Sequence, residues 1–453
     1  MDLGPAGTTA TRPGQDGPAT TTPARVRTNR LDLALAEARY AYRHASAYRG
    51  LLDRAGVDVD GLADLADFRS LPLTDKQFYR ANYPAGVVAL AGPLSAEQHV
   101  LISHSSGTGG QRLTTAAHTY DLARRMADTT SVHLELKRRL LRARSQRIAR
   151  YAAPNCSDVE CASPLTTMES RTLRDGTLVL PVGHDLLATR PSMVEQAIEE
   201  VGIHRPDWFY TDATHLAFLL RQYRARALPP PAVSAVILTY TLATHVARRQ
   251  VVAALAPAIP VAEVVSMSEL GWVAMECPRG VLHLNTATFF MELLDATAAE
   301  VPEGGVGELV ATSLRDRLLP HVRYRTGDLY RRLPPCPCGS PFPAVRHEGR
   351  AVHHLALPDG RGLSPKEFDD LVGADPGVVL YRMQQRSPRR FRFSYVPAEG
   401  TDGTATGAAL RERIVAALGP DAQVEVEQVE YIATDRTGKF LSCLGAGIGG
   451  GPR

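Results

Sequence analysis

The chain has 453 residues, of which 44% are hydrophobic and 22% are charged, and its formal net charge is +3. This length exceeds what one hydrophobic core usually supports, so we expect two or three domains. The slight positive charge gives no sign of a nucleic-acid partner, and no run of about 18 apolar residues predicts a membrane-spanning helix. Six cysteines are too few for a disulfide framework in so long a chain, which favours a reducing cytoplasm.

The N-terminal part begins with a segment rich in Gly, Pro and Thr, residues 1–25, which predicts a disordered tail. Leu31 to Arg49 has a mostly helical spacing of apolar residues. In the segment Leu71 to Lys76, Thr74 is the expected N-cap of the next helix. Val100 to Ile102 is a short apolar run that predicts a buried strand.

Glycines alternate with hydroxyl residues directly after this strand. The segment consists of Ser105, Ser106, Gly107, Thr108, Gly109 and Gly110. Backbone N–H groups in such a segment can turn toward an anion while the side chains add donors, which indicates a phosphate cradle. The alternative is an ordinary surface loop, because the dinucleotide fingerprint and the phosphate loop ending in Gly-Lys-Ser/Thr are both absent.

The middle of the chain alternates strands with helices, which is typical of parallel sheets covered by helices. The predicted strands are 177–181, 233–239 and 261–265, and the predicted helices are 121–127, 132–149, 192–201 and 246–255. Ligands of such folds bind at the C-terminal ends of strands, and Gly107, Thr239 and Glu269 each follow such an end.

Farther on, Arg323, Arg325 and Asp328 flank the Thr-Gly turn at 326–327. A carboxylate in that position can accept both hydroxyls of a ribose, although a charged surface turn is an equally good interpretation of this segment alone. Beyond Arg350 the pattern changes to a small α+β domain that carries Lys439 near its end, and a Gly-rich tail, 444–453, follows.

Four residues have the composition of a metal site. Cys277, His283, Cys336 and Cys338 together match a tetrahedral zinc site with three cysteines and one histidine. All four coordination positions would be filled, so the zinc would be structural. The alternative is four unrelated residues.

These pieces together resemble the adenylate-forming (acyl-CoA synthetase) superfamily, most closely its phenylacetate-CoA ligase-like branch. The similarity runs in family order from about residue 31 to 441. The matching segments are Leu71 to Lys76, Ser105 to Thr108, Ser268-Glu269, Glu276-Cys277 with His283, Tyr324 to Leu329, Cys336 to Gly339, Gly349-Arg350 and Thr437 to Lys439.

The resemblance implies an α/β fold with a large N-terminal domain of parallel or mixed sheets covered by helices, 26–350, and a small mobile α+β C-terminal domain, 351–443. It also implies ATP and Mg²⁺ as cofactors. Ser105 to Gly110 would wrap the pyrophosphate end of ATP, Ser268 would touch the α-phosphate, and Glu269 would hold Mg²⁺. Asp328 would bind the ribose with Arg350 near it, and Lys439 would bridge the attacking oxygen and the α-phosphate.

The chain also departs from the family pattern. Val265-Ser266 stands where the family usually has Tyr-Gly, and Thr239-Tyr240-Thr241 replaces a Gly-Glu pair, so Tyr240 is the candidate for stacking on adenine. The acidic hinge after Arg350 is replaced by Ala351 to His354, and the glycine turn that admits a pantetheine arm is altered to Asp359 to Gly362. The resemblance therefore implies that the adenylation apparatus is kept, whereas the hinge and the glycine turn that serve thioester formation are altered.

Three functions remain open. The leading hypothesis is transfer of AMP to an oxyacid, an aromatic carboxylate, and then of the activated group to an acceptor such as CoA. The second is a diazotase of secondary metabolism and antibiotic biosynthesis, which would activate nitrite and convert an aromatic amine to a diazo group. The third is a nucleotide-binding protein that has lost catalysis. A carrier-protein acceptor and a homodimer stay open, and Tyr151, Asn155 and Tyr210 are substrate-pocket candidates that fit equally well as packing residues.

Overall fold

The computed structural model describes residues 23–89, 99–104, 113–142, 147–153, 166–435 and 437–446, with side chains from residue 30 onward. The α-helices are Pro23–His44 (α1), Ser46–Arg54 (α2), Leu65–Ser70 (α3), Lys76–Asn82 (α4), Thr119–Thr129 (α5), Leu134–Arg142 (α6), Pro191–His204 (α7), Ala213–Ala225 (α8), His245–Ala254 (α9), Pro365–Val372 (α10) and Gly403–Leu418 (α11). The strands are Val100–His104 (β1), Thr114–His118 (β2), Ile148–Arg150 (β3), Leu178–Val179 (β4), Trp208–Thr211 (β5), Ala235–Leu238 (β6), Val261–Met267 (β7), Gly271–Glu276 (β8), Leu282–Leu284 (β9), Phe289–Leu294 (β10), Val306–Ser313 (β11), Tyr324–Arg332 (β12), Ala344–Arg350 (β13), Leu355–Ala356 (β14), Gly362–Leu363 (β15), Val378–Ser387 (β16), Arg390–Pro397 (β17), Gln423–Gln428 (β18) and Cys443–Leu444 (β19).

The large N-terminal domain is built on an 11-stranded sheet in the order β10-β11-β12-β13-β9-β8-β7-β6-β5-β3-β4. Strands β4, β3, β5, β6 and β7 are parallel neighbours, and the rest of the sheet is antiparallel. The parallel strands read as continuous buried runs because helices such as α8 cover them, and all four residues of β5 and of β6 are buried. This mixed sheet confirms the expected α/β fold.

The small C-terminal domain has a 4-stranded sheet in the order β18-β17-β16-β19, against which α10 and α11 pack. Phe391, Phe393 and Tyr395 alternate along β17 and are all buried, as their period of two predicts. Helix α11 ends at Leu418, and Gly419 follows with a φ of 90°. The expected α+β character of this part is therefore confirmed.

The two domains meet along α9. The backbone N–H of His245 donates to Asp369 Oδ1 at 3.0 Å, and Gln250 Nε2 donates to the Val379 carbonyl at 2.9 Å. Val246 from the same helix is buried in the core of the small domain. Since α9 follows β6, these contacts place the small domain beside the C-terminal ends of the parallel strands.

Three local predictions were wrong. Asp75, not Thr74, caps α4, because the Asp75 carboxylate accepts from the Phe78 N–H at 2.9 Å while the Thr74 side chain is used elsewhere. Ile148 begins a strand rather than ending a helix. Ile102 is 48% exposed, so β1 lies at the surface as part of a hairpin with β2 instead of in the core. No helix in the described part of the chain is long and apolar enough to cross a membrane.

Candidate active site at the C-terminal edge of the sheet

The segment 71–76 is bonded to the start of β12. The Thr74 N–H donates to the Arg323 carbonyl at 3.0 Å, the Arg325 N–H donates to the Thr74 carbonyl at 2.8 Å, and the Thr74 hydroxyl donates to the Val322 carbonyl at 2.9 Å. These bonds fix the register between two segments that are nearly 250 residues apart in the sequence. As a result Lys76, the first residue of α4, points toward the turn that follows β7.

That turn carries Ser268, which is half-buried, and Glu269, which is buried. The Tyr324 hydroxyl donates to Glu269 Oε1 at 2.6 Å, and the Lys76 Nζ lies 3.3 Å from the same oxygen. Burial alone would raise the pKa of Glu269, but the Lys76 charge and the Tyr324 hydroxyl outweigh it and lower the pKa. Glu269 is therefore an anionic carboxylate with the chemistry of a Mg²⁺ ligand.

Asp328 and Arg350 are paired across neighbouring strands, β12 and β13. Arg350 Nε lies 3.3 Å from Asp328 Oδ1, and His347 Nε2 lies 3.9 Å from the same atom. Burial raises the pKa of Asp328, but Arg350 and His347 more than compensate and hold this pKa well below its usual range. The structure thus brings together Glu269, Asp328 and Arg350, and Asp328 is a permanently charged acceptor.

The residues after β6 form a strained turn. Tyr240 has a φ of 75°, which a non-glycine residue rarely adopts and which often marks a functional site. Thr239 Oγ1 lies 3.0 Å from Ser266 Oγ, and Tyr210 donates to the same oxygen at 3.3 Å. The Tyr210 and Tyr240 rings are 5.6 Å apart in an edge-to-face arrangement, and Tyr210 stacks on Trp272. This aromatic group is a candidate surface for a flat ring.

Lys439 follows a tight loop of the small domain. Asp435 Oδ1 accepts from the N–H groups of Thr437 and Lys439 at 2.8 and 2.9 Å, and Gly438 has the positive φ of 78° that the turn requires. The loop is docked on the large domain, because Thr434 donates to the His184 carbonyl at 2.9 Å.

A buried histidine, His353, lies in the single turn that follows β13. Burial lowers the pKa of His353 to about 4, and the charge of Arg350 lowers this pKa further.

Several predicted residues lie elsewhere or outside the described part. Tyr151 is buried directly after β3, and its ring lies 6.3 Å from the ring of His215. Ser105 to Gly110 and Asn155 lie outside the described residues.

The sequence interpretation assigned no role to Lys76 or Tyr324. The chain has four lysines, Lys76, Lys137, Lys366 and Lys439, in a total of 51 lysines and arginines. The presence of one of these rare lysines in the segment 71–76 was the signal that the sequence offered, since a lysine supplies a compact charge that arginine cannot.

The predicted metal ligands come together between β8, β9 and the β12–β13 connection. The ligand atoms of Cys277, His283, Cys336 and Cys338 all lie within 4.8 Å of one another. The Cys277 and Cys336 sulfurs are 4.0 Å apart, close to the roughly 3.8 Å that tetrahedral zinc thiolates require. His283 Nδ1 donates to the Phe342 carbonyl at 2.8 Å, and Nε2, 3.3 Å from Cys338 Sγ, is the nitrogen that faces the cysteines. The donor set fits a structural Zn²⁺.

The sequence is similar to several curated ligases. It is 28% identical to the phenylacetate-coenzyme A ligase of Thermus thermophilus over 75% of this chain and 73% of that protein. It is 27% identical to the phenylacetate-coenzyme A ligase of Escherichia coli over 68% of this chain and 67% of that protein. No family model matches the chain.

Solved structures show the same fold. The 2-hydroxyisobutyryl-CoA ligase in the postadenylation state, in complex with 2-HIB-AMP, superposes with a TM-score of 0.70 at 19% identity and covers 94% of this chain and 92% of its own. The same ligase in the thioesterification state covers 96% and 94% at the same identity, but the TM-score is 0.57.

The anthranilate CoA ligase AuaEII, in complex with anthranoyl-AMP, superposes with a TM-score of 0.51 at 14% identity and covers 77% of this chain and 66% of its own. The sequence is therefore similar to phenylacetate-coenzyme A ligases, and its fold is the fold of the acyl-CoA ligases of the adenylate-forming superfamily.

Proposed function

We propose that the protein activates an aromatic carboxylate as its AMP anhydride, with release of pyrophosphate, and then transfers the acyl group to CoA. The observation that carries this proposal is the pair of buried carboxylates, Glu269 and Asp328, that Lys76, Tyr324 and Arg350 keep ionised at the edge of one sheet. Glu269 is suited to a metal ion that binds phosphate, and Asp328 is suited to ribose hydroxyls. Phosphate and ribose are neighbouring parts of AMP.

The roles of the remaining residues follow from their chemistry. Asp328 accepts the ribose hydroxyls beside Arg350, Tyr240 and Tyr210 offer ring faces to adenine, and Ser268 donates to the α-phosphate. The segment 105–110 donates to the departing pyrophosphate. Glu269 would hold Mg²⁺, which would supply positive charge at the phosphate oxygens.

Lys439 is the cation that completes the reacting centre. As the carboxylate oxygen attacks the α-phosphorus and pyrophosphate leaves, negative charge grows on the phosphoryl oxygens, and a lysine ammonium stabilises that charge. We also place the domain boundary after Arg350, so that the large domain extends to residue 350 and the small domain begins at 351. The expected tails, 1–25 and 444–453, each overlap an element, because α1 begins at Pro23 and β19 ends at Leu444.

The test is pyrophosphate release from ATP with aryl and arylacetic acids, with and without CoA. K439A should lower the adenylation rate by about a hundredfold or more while nucleotide binding, measured by calorimetry, stays within a few-fold. The matched control is K137A, on helix α6. Unchanged AMP transfer in K439A would show that the lysine has another role.

Activation of nitrite for diazotisation of an aromatic amine is the second candidate. The altered hinge favours this second candidate. Ala351–His353 form a single turn, and the buried His353 lies where the family has an acidic hinge. The same assay with nitrite in place of an organic acid decides between the two. Activity with aryl acids that needs CoA would eliminate the diazotase, and loss of catalysis altogether would be inferred only if neither oxyacid released pyrophosphate.

A further inference from the structure

A buried aspartate–histidine pair lies at the end of β5. Asp212 caps helix α8, and its Oδ1 accepts from the N–H groups of Thr214 and His215 at 2.9 and 3.1 Å. The same oxygen lies 3.0 Å from His215 Nδ1, and both side chains are 1% exposed. Helix capping requires only the carboxylate, so the imidazole needs a separate explanation.

Asp212 determines which nitrogen of His215 carries the proton. Burial raises the pKa of Asp212, but His215 and the Thr241 hydroxyl, which donates to Oδ2, outweigh burial and lower the pKa. An ionised carboxylate accepts from Nδ1–H, which makes Nε2 the acceptor nitrogen of the ring. Among the described residues, His215 Nε2 is buried and has no hydrogen-bond partner.

The Tyr151 hydroxyl is in the same situation. It is buried with no hydrogen-bond partner among the described residues, and the Tyr151 and His215 rings are 6.3 Å apart. A buried polar group without a partner costs about 1–3 kcal/mol, and here two such groups are neighbours. One acceptor nitrogen and one hydroxyl, which both donates and accepts, form a matched set for a ligand with a polar hydrogen.

The pair is connected to the nucleotide end of the site by one short turn. Thr239 lies against Ser266 near Glu269, and two residues later Thr241 donates to Asp212. The Thr239 N–H also donates to the Thr211 carbonyl at 2.8 Å, which holds the ends of β5 and β6 together. Since ligands bind at the C-terminal edge of parallel strands, His215 and Tyr151 lie on the side where the acid would enter.

We propose that His215 Nε2 and the Tyr151 hydroxyl bind a hydroxyl or amino group on the ring of the substrate, so that the preferred acids are hydroxy- or amino-substituted aromatic carboxylates. This inference rests on the proposed function and names its substrate class. A pocket with a built-in acceptor rejects an analogue that lacks the donor, because the polar groups of the pocket are then left unpaired.

The test compares benzoate with its hydroxy and amino derivatives in the pyrophosphate assay. The wild type should prefer the best substituted acid by about tenfold or more in kcat/KM. Y151F and H215L should reduce this preference to within about threefold, mainly by raising KM for the substituted acids, and should lower kcat/KM for benzoate much less than kcat/KM for those acids. H215Q restores an acceptor oxygen and should recover part of the preference. Y223F is the control: it removes a hydroxyl that is bonded to the Ile198 carbonyl, and it should keep the full preference.

No preference in the wild type, or equal losses on benzoate and on substituted acids in Y151F, would overturn the inference. If H215L does not fold, Y151F decides alone, since it deletes one oxygen that has no protein partner. If no acid is adenylated at all, the proposed function fails, and the pocket is judged by calorimetric binding of the same acids without ATP. Tighter binding of substituted acids that Y151F removes would support the pocket, and equal binding would refute it.

Discussion

Two tyrosines of one strand provide a matched test of the Glu269 site. Tyr324 and Tyr330 both lie on β12 and are both 0% exposed, but the Tyr324 hydroxyl donates to Glu269 at 2.6 Å while the Tyr330 hydroxyl has no partner among the described residues. Phenylalanine keeps either ring and removes one oxygen. Only Y324F takes a donor away from a buried carboxylate.

The magnitude follows from this difference. A hydrogen bond to a charged group contributes about 1.5–3 kcal/mol, so Y324F should lower the free energy of unfolding of the large domain by that amount. With an unfolding entropy of about 2.1 cal/mol/K per residue, a domain of roughly 300 residues would lose about 2–5 °C in Tm. Y330F removes an unpaired hydroxyl and should leave Tm unchanged or raise it slightly.

The pH dependence gives a second readout. The pKa of Glu269 is lowered in the folded protein, so its ionised form stabilises the fold above its unfolded pKa of about 4.3, and this stabilisation is lost as the pH falls. Y324F removes part of this stabilisation, so the difference in stability between Y324F and wild type should be full at pH 7 and should disappear only as the pH falls below about 4.3 and through the lower pKa of Glu269 in the folded protein. Urea titrations at several pH values measure this gap.

Catalysis gives the third readout, because a residue that orients a metal ligand typically changes metal affinity by about 10–100-fold when mutated. The Mg²⁺ concentration for half-maximal pyrophosphate release should rise by that order in Y324F and stay within twofold in Y330F. The reasoning would be refuted if the two variants matched in Tm and in Mg²⁺ dependence.

Three further predictions concern the rest of the site. D328N should weaken ATP binding by about 10–100-fold and should narrow the discrimination between ATP and its 2′-deoxy analogue, measured by calorimetry, because the charged acceptor for the ribose is lost. C336S should abolish the bound zinc that elemental analysis detects and should lower Tm, whereas C443S, at a buried thiol outside the quartet, should retain zinc; retention in both would remove the zinc assignment. Burial lowers the pKa of His321 to about 4, so wild-type stability should fall by about 3 kcal/mol as the pH drops from about 6.5 to 4, and H321F should show a flatter profile in denaturant titrations.

The sequence was sufficient for features that depend on local pattern. The strand β17 follows a period of two, α11 ends just before Gly419, and the parallel strands β4, β6 and β7 alternate with helices as their patterns predict. The four predicted metal ligands also come together, and the sulfurs of Cys277 and Cys336, 59 positions apart in the sequence, lie 4.0 Å from each other.

Features that depend on tertiary contacts could not be predicted in this way. Thr74 is a good helix cap in isolation, but its hydroxyl bonds to Val322, nearly 250 positions away, and Asp75 caps the helix instead. Ile148 continues a helical pattern in the sequence, but it pairs with Trp208 of β5 and is therefore part of a strand. The Asp212–His215 pair has no recognisable motif, and only the burial of both side chains and the lack of a partner for Nε2 make it distinctive.

The scarcity of lysine has a practical consequence for labelling chemistry. Of the four lysines, Lys76 and Lys439 belong to the proposed nucleotide cleft, Lys137 lies on helix α6, and Lys366 is ion-paired with Asp369 in the small domain. An amine-directed reagent followed by peptide mass mapping would therefore report on the cleft with very little background. Protection of Lys76 and Lys439 by ATP, with Lys137 as internal reference, would map the occupied cleft in a single experiment without any substitution in the chain.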